Sequence, residues 1–144
     1  MKVPNIFIID TNVLIAGLIS GQVGSPTVSI VDAMLGGKII YLMSAELLQE
    51  YRAVLLRPKL CRLHLLNEQQ VDTILTEITA NAIWHDVISI SEGYVPDPDD
   101  THLWNLLATE PSSILVTGDK LLLANPPQYR SVISPASCLT LLNG

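Results

Sequence analysis

The chain is poor in the features that would staple or anchor it. Its two cysteines, Cys61 and Cys138, lie far apart and form no C-x-x-C pair, which argues against a zinc ribbon or a disulfide framework, and both read as reduced thiols. Long apolar runs are also missing. Hydrophobic residues make up 49% of the sequence and mean hydropathy is +0.40, yet Gly, Ser, Pro and charged residues break every run. None reaches the length of roughly 18 residues that a membrane span needs. Asp10 and Asn12 interrupt the first apolar stretch and no A-x-A-like site follows, unlike a signal peptide. Basic residues are scarce, with 8 Lys and Arg against 14 Asp and Glu and a net charge of −6. That balance argues against nucleic-acid binding through a broad basic face. It leaves open binding through carboxylates that hold divalent cations. Repeats and low-complexity stretches are absent as well. With 144 residues, the chain is expected to be a single soluble, cytoplasmic domain spanning 1–144.

What is present is an alternation of short apolar strands and helices. Asn5 to Leu14 opens with Ile6-Phe7-Ile8-Ile9, a strand buried on both faces, and ends in Asp10. A helix can begin at Thr11 and run to Leu18. Ser25-Pro26 reads as an N-cap with proline at the first helical position, opening a helix that Gly36-Gly37 ends. Ile39 to Met43 is a second strand, and Ser44 caps a helix from Ala45 to about Leu56, closed by Pro58. Residues 58–66 fit neither template. Asn67 caps a helix carrying Val71, Ile74, Leu75 and Ile78 on one face. His85 to Ile90 reads as a third strand, Pro96 to Asp100 as a loop, and Thr101 to Thr109 as a helix. Ile114 to Val116 is a fourth strand stopped at Thr117-Gly118-Asp119, and Val132-Ile133 a minimal fifth. Pro135 starts a last helix. The pattern predicts a three-layer α/β/α sandwich with a mainly parallel five-stranded sheet. In such sheets the functional crevice lies outside the carboxyl ends of the strands, where strand order reverses. Asp10, Ser44 and Thr117 to Asp119 all follow strands at that end.

Four acids stand out. Asp10 also suits a helix cap, and capping does not preclude binding a metal. On the helix after Ser44, Leu47, Tyr51, Val54 and Leu55 form the apolar stripe. Glu50 falls beside it, whereas Glu46 lies further toward solvent and is explained by the positive end of the helix dipole. In Asp97-Pro98-Asp99-Asp100, one acid should cap the next helix, and Asp99 is the favoured one. Asp100 precedes Leu103 and Leu107 by three and seven residues and shares their face; Asp99 stands almost equally well with Leu103 and Leu106. Asp119 suits either a turn or a site at the strand end. His64, His85 and His102 repeat no metal-binding spacing and read as structural or surface residues. Carboxylates without His or Cys favour a hard cation, Mg²⁺ or Mn²⁺.

The ordered set Asp10-Thr11-Asn12-Val13-Leu14, Ser44 to Glu50 running into Arg57-Pro58-Lys59, Asp97-Pro98-Asp99-Asp100, Val116-Thr117-Gly118-Asp119-Lys120 and Ile133-Ser134-Pro135 resembles the PIN-domain family. Within that family it looks like the toxin components of bacterial type II toxin–antitoxin systems. The resemblance implies a metal-dependent endoribonuclease with Asp10, Glu50, Asp100 and Asp119 as catalytic metal ligands, and Asp99 as the alternative to Asp100. Thr11, Asn12, Asp97 and Thr117 would support the site. Trp104-Asn105 departs from the small or apolar residues common there. The expected partners are RNA and a cognate antitoxin protein, with a homodimer plausible on apolar content. Arg52, Arg57, Lys59 and Arg62 are the candidate contacts for the RNA backbone. The rival expectation is a non-catalytic RNA- or protein-binding module with a vestigial metal site. A phosphotransfer domain of the receiver or haloacid-dehalogenase type is disfavoured, because the second acid it needs is replaced by Asn12 or missing.

Overall fold

The computed structural model describes residues 4–86 and 94–143. At its centre is β1 (Ile6–Ile9), where Phe7, Ile8 and Ile9 are all buried. Successive strand side chains point to opposite faces, so a run of buried residues means that both faces are covered. The same holds in β2 (Ile40–Met43), where Tyr41, Leu42 and Met43 are buried. With β3 (Ile83–Trp84), β4 (Ser113–Val116) and β5 (Ser131–Ile133) they form one sheet in the order β3-β2-β1-β4-β5, every pair parallel. The chain is thus an α/β sandwich of the expected kind, its sheet wholly rather than mainly parallel.

Strand order proceeds one way from β1 to β2 and the other way from β1 to β4, so the switch point lies between β1 and β4. Ile9 pairs with Val116, and the next residues, Asp10 and Thr117, therefore emerge side by side. Asp10 N–H donates to Val116 O at 2.9 Å and Thr117 N–H to Ile133 O at 3.0 Å. These bonds carry the ladders one residue further and fix both backbones.

The helices follow local signals. α1 (Thr11–Ile19) starts directly after Asp10, and α2 (Pro26–Leu35) has the Ser25 cap and the first-turn proline. They touch at Gly17, where a Cβ would lie 2.4 Å from Val31 Cγ2 and 2.6 Å from Thr27 O, a spot that only glycine fits. α3 (Ala45–Leu55) is capped by Ser44, whose hydroxyl accepts from Leu47 N–H. α5 (Glu68–Asn81) opens with a full capping box between Asn67 and Gln70.

Residues 58–64, which fit no template by pattern, form α4 (Pro58–His64). Pro58 closes α3 and also occupies the first turn of α4, so one proline does both jobs. The end of α4 is held by His64. Its Nε2–H donates to Leu55 O at 2.7 Å, and its Nδ1 accepts Leu66 N–H at 2.9 Å. That bracket holds Leu65 in a left-handed conformation at φ 60°. The structural reading of His64 is correct.

The third strand differs from expectation. β3 occupies Ile83–Trp84, and His85 and Asp86 lie beyond it; residues 87–90 of the expected strand fall outside the described residues. α5 ends at Asn81 and the chain enters the sheet at once. His85 N–H still bonds Met43 O at 2.8 Å, so pairing outlasts the strand assignment by a residue. Beyond it come α6 (Thr101–Thr109), α7 (Lys120–Ala124) and α8 (Pro135–Asn143). Among the described residues no helix is long and apolar enough to cross a membrane.

Candidate active site

Asp10 ends the central strand only 5% exposed, and a carboxylate so placed needs donors. Oδ1 accepts Thr11 N–H at 2.7 Å; Oδ2 accepts the Thr117 hydroxyl at 2.7 Å and Asn12 Nδ2 at 3.1 Å. Asn12 links the two strand ends again, Nδ2 reaching Thr117 Oγ1 at 3.2 Å and Oδ1 accepting Gly118 N–H at 2.8 Å. A Cβ on Gly118 would come within 3.3 Å of that Oδ1, so the loop is close-fitted to Asn12. Burial raises the Asp10 carboxyl above its ordinary value, opposed by the bonds from Thr117 and Thr11. The neighbouring Glu50 charge raises it further.

Glu50, on α3, faces this network while Glu46 is exposed in the first turn, as the helix geometry predicts. Its Oε2 accepts the Thr11 hydroxyl. The same helix is anchored beneath the site by the buried Tyr51, whose hydroxyl donates to Ile9 O. His102 Nε2 stands 3.6 Å from Glu50 Oε2. The imidazole is the main influence holding Glu50 below its ordinary value, against burial, with Thr11 and the Arg57 charge acting in the same direction as His102.

The third acid is organised differently from expectation. Asp97, not Asp99, is the capping residue: its Oδ1 accepts Asp99 N–H at 3.0 Å and starts a single 3-10 turn over Pro98–Asp100. Proline at the first position of that turn makes Asp97 its cap, one turn earlier than a cap on α6 itself. Asp100 then occupies the N-cap position of α6 without a side-chain capping bond. Burial first, and then the charges of Asp10, Asp97, Glu50 and Asp119, push its carboxyl up to about 7. Asp119 N–H donates to Thr117 Oγ1 at 3.0 Å, and Asp119 Oδ1 accepts Leu121 N–H at 2.8 Å and caps α7.

Asp10, Glu50, Asp97, Asp99, Asp100 and Asp119 line one cleft of about 580 Å³ together with Thr11 and Asn12. Ile15, Ile19 and Val54 form its apolar wall. Asp99 is exposed at the rim, whereas Asp100 is half-buried. Among the described residues no group of three or more His, Cys, Asp or Glu side chains converges closely enough to hold an ion as placed. The donor chemistry nevertheless fits a hard divalent cation. The lining acids supply only carboxylate oxygens, and their mutual repulsion on Asp100 is the cost that a cation would relieve.

The basic residues divide. Arg52 is exposed and already paired, Nε with Asp72 Oδ1 and Nη2 with Glu68 Oε1, each at 2.8 Å. It lines a different groove between α3 and α5. Arg57, Lys59 and Arg62 are exposed around α4, and Arg57 is the one whose charge reaches Glu50. His102 touches the site through Glu50, a contact that its spacing does not show. It precedes the buried Leu106 by one helical turn, and that inward phase is the signal that could have found it.

A family model described as PIN domain matches residues 7–121, from the central strand to the loop and first turn after β4. The chain belongs to the PIN domain family. No curated protein matches the chain significantly. PIN domains are generally nucleases and typically use divalent metals, and the match spans Asp10, Glu50, Asp100 and Asp119.

Proposed function

We propose that this chain is a Mg²⁺- or Mn²⁺-dependent endoribonuclease and the toxin component of a toxin–antitoxin pair. The observation that carries the reading is the meeting of Asp10, Glu50, Asp100 and Asp119 in one cleft at the sheet's switch point. Asp10, Glu50, Asp100 and Asp119 would hold the metal. A divalent cation bound there supplies Lewis acidity toward a phosphodiester and a water, and neutralises charge that develops in the transition state.

The chain's own residues have distinct tasks. Asp10 is the fixed member, its orientation set by Thr117, Asn12 and the Thr11 N–H before any ligand arrives, which is the preorganisation that catalysis rewards. Thr11 ties Glu50 to the same element. Asp100 carries no capping bond and can turn toward an ion, with Asp99 at the rim beside it. Arg57, and beyond it Lys59 and Arg62, offer positive charge to an RNA backbone that the acids would otherwise repel. Ile15, Ile19 and Val54 offer an apolar wall to a base. The proposed partner is a cognate antitoxin protein, and the domain is proposed to act in the cytoplasm.

Incubating the purified protein with RNA and with DNA, each with Mg²⁺, Mn²⁺ or EDTA, tests the reading. Metal-dependent RNA cleavage is the expected result. RNA binding that is indifferent to metal and yields no cleavage would favour a binding module with a vestigial site.

A further inference from the structure

Both ring nitrogens of His102 are buried, and neither has a hydrogen-bond partner among the described residues. The side chain as a whole retains 14% exposure. An imidazole always carries at least one N–H, and a buried donor without an acceptor is a cost that an apolar residue at the same place would avoid. Packing alone therefore gives no reason for histidine here. Among the described residues its ion-pair neighbour is Glu50, with Oε2 at 3.6 Å, about half an ångström beyond an ordinary N–H···O bond.

Two contacts meet on that oxygen, the Thr11 hydroxyl and the His102 ring. Oε1 has no hydrogen-bond partner among the described residues, and Glu50 lines the cleft. His102 also sits two residues after Asp100 at the start of α6, and α6 packs on α3. One side chain thus links α3, which carries Glu50, to the first turn of α6, directly after Asp100.

We propose that His102 is a positioning residue: its Nε2–H closes onto Glu50 Oε2 when a divalent cation occupies the cleft, and thereby turns Oε1 toward the ion. The inference rests on the reading of the cleft as a cation site. Groups that orient a ligating side chain from behind are worth about 10–100-fold in metal affinity when lost.

The test is Mn²⁺ binding by calorimetry on the wild-type protein, His102→Gln, His102→Met and Asp10→Asn. Glutamine can place an amide N–H near the position of Nε2, whereas methionine matches its size and offers no donor. His102→Gln should bind Mn²⁺ within about threefold of wild type, and His102→Met about 10–100-fold more weakly, with the melting temperature of the metal-free protein unchanged or raised. Wild-type affinity in His102→Met, or equal losses in both variants, would overturn the proposal while leaving the cleft a metal site. Wild-type protein that binds no Mn²⁺ would overturn both readings. If the methionine variant does not fold, the wild-type protein still decides: with ¹⁵N-labelled histidine, Mg²⁺ should bring the His102 Nε2–H into slow exchange, and an unchanged ring signal in the Mg²⁺-bound protein refutes the contact.

Discussion

Asp100→Asn should stabilise the metal-free protein at pH 8 and leave it unchanged near pH 4. Burial and four neighbouring carboxylates raise the folded carboxyl from 3.8 to about 7. Between those values the folded state holds a proton that the unfolded state has released, so stability falls as pH rises through the window. At about 1.4 kcal/mol per pH unit, the full penalty above pH 7 would be about 4 kcal/mol. Solvent reaches the half-buried Asp100, and screening reduces this to about 1–2 kcal/mol. The asparagine variant keeps the shape and never carries the charge. Its melting temperature at pH 8 should exceed wild type by roughly 2–8 °C for a chain of this size, the difference shrinking to nothing by pH 4. Asp10, also raised, tilts the wild-type profile the same way and Glu50, lowered, tilts it the other way; the difference between variant and wild type reports Asp100 together with its coupling to these neighbours. Saturating Mg²⁺ should reverse the order, because only the aspartate gains a full ligand charge. Calorimetric scans from pH 4 to 8 with EDTA and with Mg²⁺ decide the matter. Superimposable wild-type and variant profiles in EDTA would refute the electrostatic reading of the cleft.

Gly17→Ala places a methyl group 2.4 Å from Val31 Cγ2 and 2.6 Å from Thr27 O, and the overpacking, of about 1–3 kcal/mol, should outweigh the gain in helix propensity. A lower urea midpoint is expected, and an unchanged or higher one contradicts the close α1–α2 contact. Arg57→Glu should weaken RNA binding and reduce its salt slope by about 1, whereas Arg52→Ala, which breaks only exposed pairs with Asp72 and Glu68, should leave RNA affinity unchanged. Equal effects of the two changes in filter binding at several salt concentrations would remove the distinction.

Much of the architecture is legible because local signals and burial agree. The Ile6–Ile9 run can only be a strand covered on both faces, and Ser25-Pro26, Ser44 and Asn67 mark helix starts where the caps form. Glu50 could be told from Glu46 because the apolar stripe of a single helix fixes which side faces inward. The rest is decided by tertiary context. α4 has no apolar stripe of its own and is completed by the ring of His64 bridging Leu55 and Leu66. β3 pairs through Ile83 and Trp84, exposed residues with no alternation to read. Asp97 takes the cap that Asp99 was expected to provide, because a 3-10 turn intervenes before α6. His102 meets Glu50 only through the packing of α6 on α3. No spacing in one segment records a contact between two.

The proposed function requires the acids of the cleft to perform metal-dependent chemistry on RNA. The most direct measurement is RNA cleavage by wild-type protein and Asp10→Asn, purified identically and assayed with Mg²⁺, with Mn²⁺ and with EDTA. Wild type should cleave with either metal and stop in EDTA, and Asp10→Asn should fall to background with its fold intact by circular dichroism. Undiminished cleavage by Asp10→Asn, or wild-type cleavage that persists in EDTA, would contradict the proposed function.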